Sequence, residues 1–216
     1  DCAAGTGNLL NGLTNKYNIW ASTLDMQDVE VMKDRIKNGA NLLESHVFQF
    51  DFLNDDFSKL PKGLQDIINN PEKCKKLVVY INPPYAEATT ARTVTGTGEN
   101  KAGVATAHEA SEHYKPQIGS ASNEIFALFM ARIYEKMPNA ILGQFSKMKF
   151  IQGSNFHQFK KYFLAKYLGG FIVPAHTFDN VKGKFPIGFT LWDLSKKKKI
   201  TKIKTTVFEK YGKYGK

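Results

Sequence analysis

The chain has 216 residues, enough for one or two domains with a hydrophobic core. Hydrophobic residues make up 42% of it, which excludes an intrinsically disordered chain. The sequence contains no apolar run of the roughly 18 residues that a membrane span needs, and no signal peptide. The two cysteines form neither a disulfide framework nor a metal-ligand spacing. We therefore expect a cytoplasmic protein without a membrane partner.

The formal net charge of +10 is unevenly distributed. Residues 195–216 contain nine lysines and one acidic residue, for a local charge of +8. A basic terminus of this kind indicates nucleic acid or another anionic surface, and is equally compatible with a solvated tail. We interpret residues 1–208 as one folded domain and residues 209–216 as a basic tail.

The first half of the chain predicts strands alternating with helices. Its opening residues, Asp1-Cys2-Ala3-Ala4-Gly5-Thr6-Gly7, are small and predict a tight turn ahead of a helix near Asn8. The two glycines let the backbone approach a ligand closely. Strands are predicted at residues 20–26, 47–53 and 77–81, and helices at 29–38 and 62–69. This alternation is typical of a parallel, doubly wound sheet.

The third predicted strand ends in Asn82-Pro83-Pro84-Tyr85. Two consecutive prolines cannot donate to a ladder, so the strand stops there, and Asn82 is held extended by the proline that follows it. The resulting loop is stiff, and it carries an amide, carbonyl oxygens and an aromatic ring. Loops at the carboxyl ends of such strands are where open α/β sheets bind ligands.

The second half of the chain begins with an irregular stretch. Residues 86–121 are rich in Ala, Thr and Gly and predict a long mobile loop that overhangs the Asn-Pro-Pro-Tyr segment. Arg92, Lys101 and Lys115 in this loop are candidates for phosphate contacts; the alternative is an ordinary flexible insertion. Ser122 is the predicted cap of a helix that ends before Pro138. The later predicted elements are a helix at 156–167, strands at 140–145, 170–174 and 187–194, and a last antiparallel pairing of 189–194 with 200–208.

The glycine turn and Asn-Pro-Pro-Tyr together resemble the first and fourth motifs of S-adenosylmethionine-dependent amino-methyltransferases. The similarity is greatest to the DNA adenine-N6 methyltransferases of restriction–modification systems, and it runs from Asp1 to about Leu194. The resemblance implies a catalytic domain with a Rossmann-like α/β fold: a mostly parallel, doubly wound sheet with a C-terminal antiparallel strand pair. It also implies a first strand upstream of Asp1, so we expect a piece of a longer polypeptide.

The resemblance assigns cofactor-binding roles to three strand ends. The turn would approach S-adenosylmethionine through Asp1, Ala3, Gly5 and Gly7. Asp25, followed by Met26, would bind the ribose hydroxyls, with Asp28 as a second acid nearby. Asp51 would accept from the adenine amino group and Phe52 would stack on the adenine ring. No metal site is expected, because the five histidines show no metal-ligand spacing.

The catalytic roles implied by the resemblance fall on Asn82, Pro83, Pro84 and Tyr85. The Asn82 side-chain oxygen and the Pro83 carbonyl would accept hydrogen bonds from the target amino group, and Tyr85 would stack on a base extruded from the duplex. Phe185, Phe189 and Trp192 are candidates for the opposite aromatic surface, with Trp192 or Phe185 preferred. Lys182 and Lys184 are candidates for contacts with the flanking phosphates.

Two other functions remain open at this point. The same motif serves methyltransferases that act on a glutamine amide or on an amino group of ribosomal RNA. Alternatively, the chain is a non-catalytic module of a restriction–modification complex. In the preferred interpretation the partners are double-stranded DNA, a specificity domain or subunit, and a nuclease.

Overall fold

The computed structural model describes residues 1–88, 99–178, 185–208 and 214–215, which form two β-sheets with helices packed against them. The smaller sheet is a parallel pair, β1 (Ala21–Thr23) and β2 (Val47–Gln49). The larger sheet has the order β3–β4–β6–β5–β7–β8. Its strands are β3 (Val78–Ile81), β4 (Ile141–Lys147), β5 (Lys166–Pro174), β6 (Pro186–Asp193), β7 (Thr206–Phe208) and β8 (Tyr214–Gly215).

The expected α/β class is confirmed, but the larger sheet is mixed rather than mostly parallel. β3 pairs with β4 in parallel, whereas β6 runs antiparallel between β4 and β5. Both edges of β6 are therefore occupied. The predicted antiparallel pairing of residues 189–194 with 200–208 is wrong for this reason: β7 instead joins β5 in parallel, with Phe171 opposite Thr206.

Seven α-helices lie within the described ranges. They are α1 (Met26–Lys37), α2 (Lys62–Asn69), α3 (Pro71–Cys74), α4 (Glu99–Ile118), α5 (Ile125–Lys136), α6 (Lys149–Gln152) and α7 (His157–Tyr162). Residues 125–133 of α5 are all buried, so this helix lies at the centre of the molecule. None of the helices described here is long and apolar enough to cross a membrane.

The predicted long loop at residues 86–121 is largely helical. α4 is followed by a 3₁₀ segment, Gly119–Asn123, and the part of the loop at 89–98 lies outside the described residues together with Arg92. The helix was missed because the buried residues described in it include the small Ala110 and Ser111 besides Tyr114 and Ile118, which weakens the apolar periodicity. Lys101 is placed in α4 by its backbone, and the exposed Lys115 pairs with Glu112 over 3.5 Å.

Two other predicted boundaries are corrected. Ser122 does not cap a helix: it is buried and accepts a hydrogen bond from the Ser111 hydroxyl over 3.2 Å, while Glu124 occupies the N-cap position of α5. The helix predicted at 156–167 ends at Tyr162, and β5 begins at Lys166.

Three hydrophobic clusters hold these elements together. The largest surrounds α5 and includes many aromatic rings, among them Phe126, Phe150 and Trp192. A second lies between α1 and the small parallel pair. The third is built on Phe145, Ala175 and Ile187. Cys2 and Ala3 pack against the largest cluster, which contains Val79 and Ile81 of β3, and so the N-terminal segment links the two sheets.

Candidate cofactor and substrate cleft

A cleft of about 920 Å³ opens where β1, β2 and β3 end. The parallel strands β1 and β2 present their carboxyl ends at the same edge, and the residues after β3 of the larger sheet line the same cleft. The cleft brings together ten of the residues predicted for the site: Ala3, Gly5, Asp25, Met26, Asp51, Phe52, Asn82, Pro83, Pro84 and Tyr85. Its apolar floor includes Ile125 and Phe129 of α5.

Asp1 and Gly7 were also predicted to bind the cofactor, but they stabilise the glycine turn on the side away from the cleft. The Ala3 N–H donates to Asp1 Oδ1 over 2.9 Å, and Ser22 of β1 donates to the Asp1 carbonyl. Gly7 has φ 82° and is buried against α1, where a Cβ would lie 3.1 Å from Met32 Cγ. Neither residue lines the cleft. The predicted helix near Asn8 is a 3₁₀ turn, Asn8–Leu10.

Asp51 is held by the loop that follows β2. Its Oδ1 accepts hydrogen bonds from the Leu53 and Asn54 amides, at 3.0 and 3.2 Å, and its Oδ2 accepts from the Asn54 side chain at 2.9 Å. The Asp51 amide in turn donates to Asp55 Oδ2. These contacts fix the direction of a half-buried carboxylate that lines the cleft.

Phe52 is packed tightly beside that carboxylate. Its ring is 4% exposed and stacks on Phe129, with ring centroids 5.3 Å apart and an interplanar angle of 12°. The ring therefore presents a rigid apolar wall to the cleft.

A buried arginine outside the cleft anchors this loop. Arg132 of α5 donates through Nη2 to the Asp55 carbonyl and lies 5.3 Å from the centre of the Phe57 ring. Sequence reasoning did not single out Arg132. Its signal is a charged residue within an otherwise apolar helix.

The two acids after β1 have different environments. Asp25 is exposed and serves as the N-cap of α1, with Oδ1 accepting from the Gln27 amide over 2.8 Å. Asp28 is half-buried, and its Oδ2 lies 3.3 Å from the Thr23 hydroxyl that donates to it. The same oxygen lies beside Gly5 of the turn. Asp28 is thus the better placed of the two acids to contact a ligand lying against the turn.

The Asn-Pro-Pro-Tyr segment leaves β3 directly into the cleft. Pro83 is buried and Pro84 is exposed, whereas Asn82 and Tyr85 are half-buried. The Tyr85 hydroxyl donates to Asn82 Oδ1, and burial raises the pKa of Tyr85. The neutral hydroxyl thereby orients the Asn82 amide.

The structure separates the three candidates for the opposite aromatic surface. Phe185 is half-buried and, like Tyr85, packs against the third hydrophobic cluster. Phe189 belongs to the same cluster and stacks on Phe171 at 5.5 Å. Trp192 is completely buried in the largest cluster against Phe150 and Phe163, so its prediction as a base contact is corrected to a core position.

A pair of charges near Phe185 was not predicted. Lys147 Nζ lies 5.6 Å from the centre of the Phe185 ring and 3.7 Å from Glu124 Oε2. Lys147 is the last residue of β4 and directly follows its buried residues. A lysine at the end of an apolar strand is the sequence signal that could have predicted its role. The predicted Lys182 and Lys184 lie outside the described residues.

No metal centre is apparent in the part of the chain that the structure describes, where no three His, Cys, Asp or Glu side chains are grouped to hold an ion. The two cysteines are free, and burial raises the pKa of Cys2 to about 12. A thiol in that state is a poor nucleophile at neutral pH.

The sequence matches no protein-family model and no curated protein. Its fold is similar to that of several much longer solved proteins. The DrdV–DNA complex matches with a TM-score of 0.58 and 13% identity, over 97% of this chain and 24% of that one. The type IIG restriction endonuclease BpuSI matches with a TM-score of 0.53 and 19% identity, over 97% and 23% of the two chains.

A third structure is the type IIL restriction–modification enzyme MmeI in complex with DNA. It matches with a TM-score of 0.52 and 11% identity, over 94% of this chain and 27% of MmeI. The chain thus spans about a quarter of the length of each of these proteins. At these identities the similarity concerns the fold.

Proposed function

We propose that this chain is a Rossmann-like methyltransferase domain that transfers a methyl group from S-adenosylmethionine to the N6 amino group of adenine in DNA. The observation that carries the proposal is the single cleft in which the glycine turn, the acids after β1 and β2, and Asn-Pro-Pro-Tyr meet. The three proteins of similar fold, two of which are described as restriction or restriction–modification enzymes, support a role of the same kind.

The residues of the cleft suit S-adenosylmethionine. The volume of the cleft lies within the range of roughly 300–1,000 Å³ that small-molecule sites occupy. Phe52 and Phe129 offer a flat apolar wall for an adenine ring, Asp51 an acceptor for its amino group, and Asp28 an acceptor for ribose hydroxyls. Gly5, with φ 51° and no side chain, leaves room for close approach of the turn. When bound, the cofactor supplies an electrophilic methyl group on a sulfonium centre.

The chain's own task is to prepare the amino nitrogen. The lone pair of an exocyclic amino group is delocalised into its ring, which makes the nitrogen a poor nucleophile. Asn82 Oδ1 and the Pro83 carbonyl would accept both amino hydrogens, thereby concentrating the lone pair on nitrogen and orienting it. Placement and electrostatic complementarity then account for most of the acceleration, so no strong base is required before transfer.

Access to the amino group of a paired adenine requires the nucleotide to leave the stack. Tyr85 would stack on the extruded base, with Phe185 as the second aromatic surface. The basic residues from 195 onward would contribute contacts with the phosphates. Recognition of the target sequence and cleavage of the DNA would be carried out by other domains or subunits.

Titration calorimetry with S-adenosylhomocysteine tests the cofactor part of this proposal. Asp51→Asn keeps an oxygen for the Leu53 and Asn54 amides but replaces the second acceptor with a donor. We expect it to weaken binding about ten- to a hundredfold, the usual cost of losing a hydrogen bond to a charged group. Asp56→Asn is the matched control. The exposed Asp56 accepts a hydrogen bond from the Ser58 amide, two residues further on, as Asp51 does from the Leu53 amide.

Binding that is absent in the unmodified chain, or equally strong in the Asp51 and Asp56 variants, would contradict the proposed cofactor site. Unfolding temperatures of the three proteins show whether any loss arises from the fold.

A further inference from the structure

Lys147 is a nearly buried cation whose ammonium makes no hydrogen bond to any residue that the structure describes. Its side chain is 15% exposed, and its closest acidic oxygen, Glu124 Oε2, is 3.7 Å away, beyond hydrogen-bond distance. Within the described ranges the ammonium donates no hydrogen bond. Because donors of a nearly buried cation are costly to leave without an acceptor, a group that accepts from this ammonium would be strongly favoured.

Glu124 holds this ammonium in place. Its side chain is 9% exposed, and its Oε1 accepts from Lys149 Nζ over 2.6 Å. Oε2 is buried and accepts no hydrogen bond from any described residue. Glu124 is also the N-cap residue of α5, directly before Ile125, which lines the cleft. The carboxylate is therefore fixed relative to the cleft, and Lys147 with it.

The position of the ammonium over an aromatic ring indicates what it would bind. Lys147 lies over the face of Phe185, and Phe185 and Tyr85 pack against the same cluster. The charges of Lys147 and Lys149 are balanced by Glu124 and by Glu87, whose Oε1 lies 3.9 Å from Lys149 Nζ. A locally neutral group has little attraction for a phosphate, whereas a neutral ring with an acceptor nitrogen satisfies the ammonium without adding charge.

We propose that Lys147 donates a hydrogen bond to a ring nitrogen of the base held between Tyr85 and Phe185, and that Glu124 positions it. This inference rests on the proposed function and makes its substrate class specific. A purine ring offers acceptor nitrogens in its plane, and Lys147 would recognise the base through one of them.

The test uses single-stranded oligonucleotides of mixed sequence that contain adenine or one of its 1-deaza, 3-deaza and 7-deaza analogues. The proteins are the unmodified chain, Lys147→Met, Lys147→Arg and Lys166→Met. Lys166→Met is the control, because Lys166 is an exposed lysine at the other end of the same sheet. Rates of methyl transfer and oligonucleotide affinities with saturating S-adenosylhomocysteine are both measured.

We expect one deaza analogue to lower kcat/KM of the unmodified chain about tenfold or more, as loss of a hydrogen bond to a charged group would. Lys147→Met should lose a similar factor on adenine and become insensitive to that analogue. Comparing the two losses in a double-mutant cycle removes the general effect of the analogue on amino basicity. Lys166→Met should behave like the unmodified chain, and Lys147→Arg should recover part of the loss.

Equal rates for Lys147→Met and the unmodified chain on adenine, or unchanged sensitivity of Lys147→Met to all three analogues, would overturn the role of Lys147. S-adenosylhomocysteine affinity and unfolding temperature should remain unchanged in all variants. If the unmodified chain binds S-adenosylhomocysteine but Lys147 shows no coupling, only this inference fails. If the unmodified chain neither binds it nor methylates DNA, the proposed function fails as well.

Discussion

The Tyr85 hydroxyl donates a hydrogen bond to Asn82 Oδ1 over 2.5 Å, so the ring proposed to stack on the base also orients the amide proposed to hold its amino group. Burial raises the pKa of Tyr85, which keeps the hydroxyl protonated as a donor at and above neutral pH. Asn82 Oδ1 has a second lone pair for an amino hydrogen. Stacking and amide orientation are therefore coupled through one residue.

Tyr85→Phe separates these two roles. The ring is kept and the hydrogen bond is lost, so we expect kcat for methyl transfer to fall about three- to tenfold with little change in KM for DNA. Tyr80→Phe is the control, since its ring packs against the same cluster. A Tyr85→Phe variant with the kcat of the unmodified chain would show that the hydrogen bond has no role in orienting Asn82.

A second prediction distinguishes the two acids after β1. Asn is as good an N-cap as Asp, so Asp25→Asn should leave both stability and S-adenosylhomocysteine affinity nearly unchanged. Asp28→Asn should weaken binding about tenfold, because the carboxylate beside Gly5 is the proposed partner of the ribose hydroxyls. Calorimetry on both variants decides the assignment, and a larger loss in Asp25→Asn would return the role to Asp25.

A third prediction concerns the anchoring of the Asp51 loop. Arg132→Met removes the donor to the Asp55 carbonyl, and Asp55 in turn accepts from the Asp51 amide. We expect the free energy of unfolding to fall by about 2 kcal/mol, and S-adenosylhomocysteine affinity to fall as well because the loop is released. Arg35→Met is the control, since the hydrogen bond from Arg35 to Asn8 lies at the surface. Chemical denaturation and calorimetry measure the two effects.

A fourth prediction separates Phe185 from Trp192. Phe185→Ala should weaken DNA binding and methyl transfer while leaving S-adenosylhomocysteine affinity intact, because the lost surface belongs to the base. Trp192→Phe should lower the free energy of unfolding by about 1–3 kcal/mol through the cavity it leaves, with little effect on KM for DNA. The opposite pattern would place Trp192 at the base after all.

Much of this cleft could be predicted from local sequence. Asn-Pro-Pro-Tyr ends a strand because of its prolines, and Asp51 follows a short apolar strand, so both were predicted at the strand ends where the structure has them. Asp28 was harder to assign, because its distance from Thr23 and Gly5 depends on how α1 begins at Asp25. Lys147 and Glu124 are separated by a whole helix and strand, and nothing local indicates that they meet.

The larger sheet was predicted less well for a related reason. The positions of the strands follow from apolar runs in the sequence. Which strands pair with each other depends on which strand edges are already occupied. Here β6 lies between β4 and β5, so neither of its edges is left for β7. α4 was not predicted because small residues weaken the apolar periodicity of its sequence. Ala110, Tyr114 and Ile118 are nevertheless buried at spacings of four.

A fifth prediction concerns alkaline stability. Burial raises the pKa of Tyr162 to about 12 from an ordinary 10.0, so the folded chain retains this proton where the unfolded chain has lost it. Its contribution to stability is complete below pH 10 and disappears as the pH rises toward 12. We expect the free energy of unfolding to fall steeply over this window, and less steeply in Tyr162→Phe. Tyr17→Phe is the control, because that ring is 69% exposed, and an unchanged slope in Tyr162→Phe would contradict the assignment.

The most direct test of the central claim is to incubate the chain with radiolabelled S-adenosylmethionine and mixed-sequence DNA, digest the DNA, and separate the nucleosides. We predict that the label is found in N6-methyladenine and is lost in Asn82→Ala. Label in N4-methylcytosine and not in N6-methyladenine would contradict the proposed substrate. Binding of S-adenosylhomocysteine without any transfer would contradict the proposed activity of this chain.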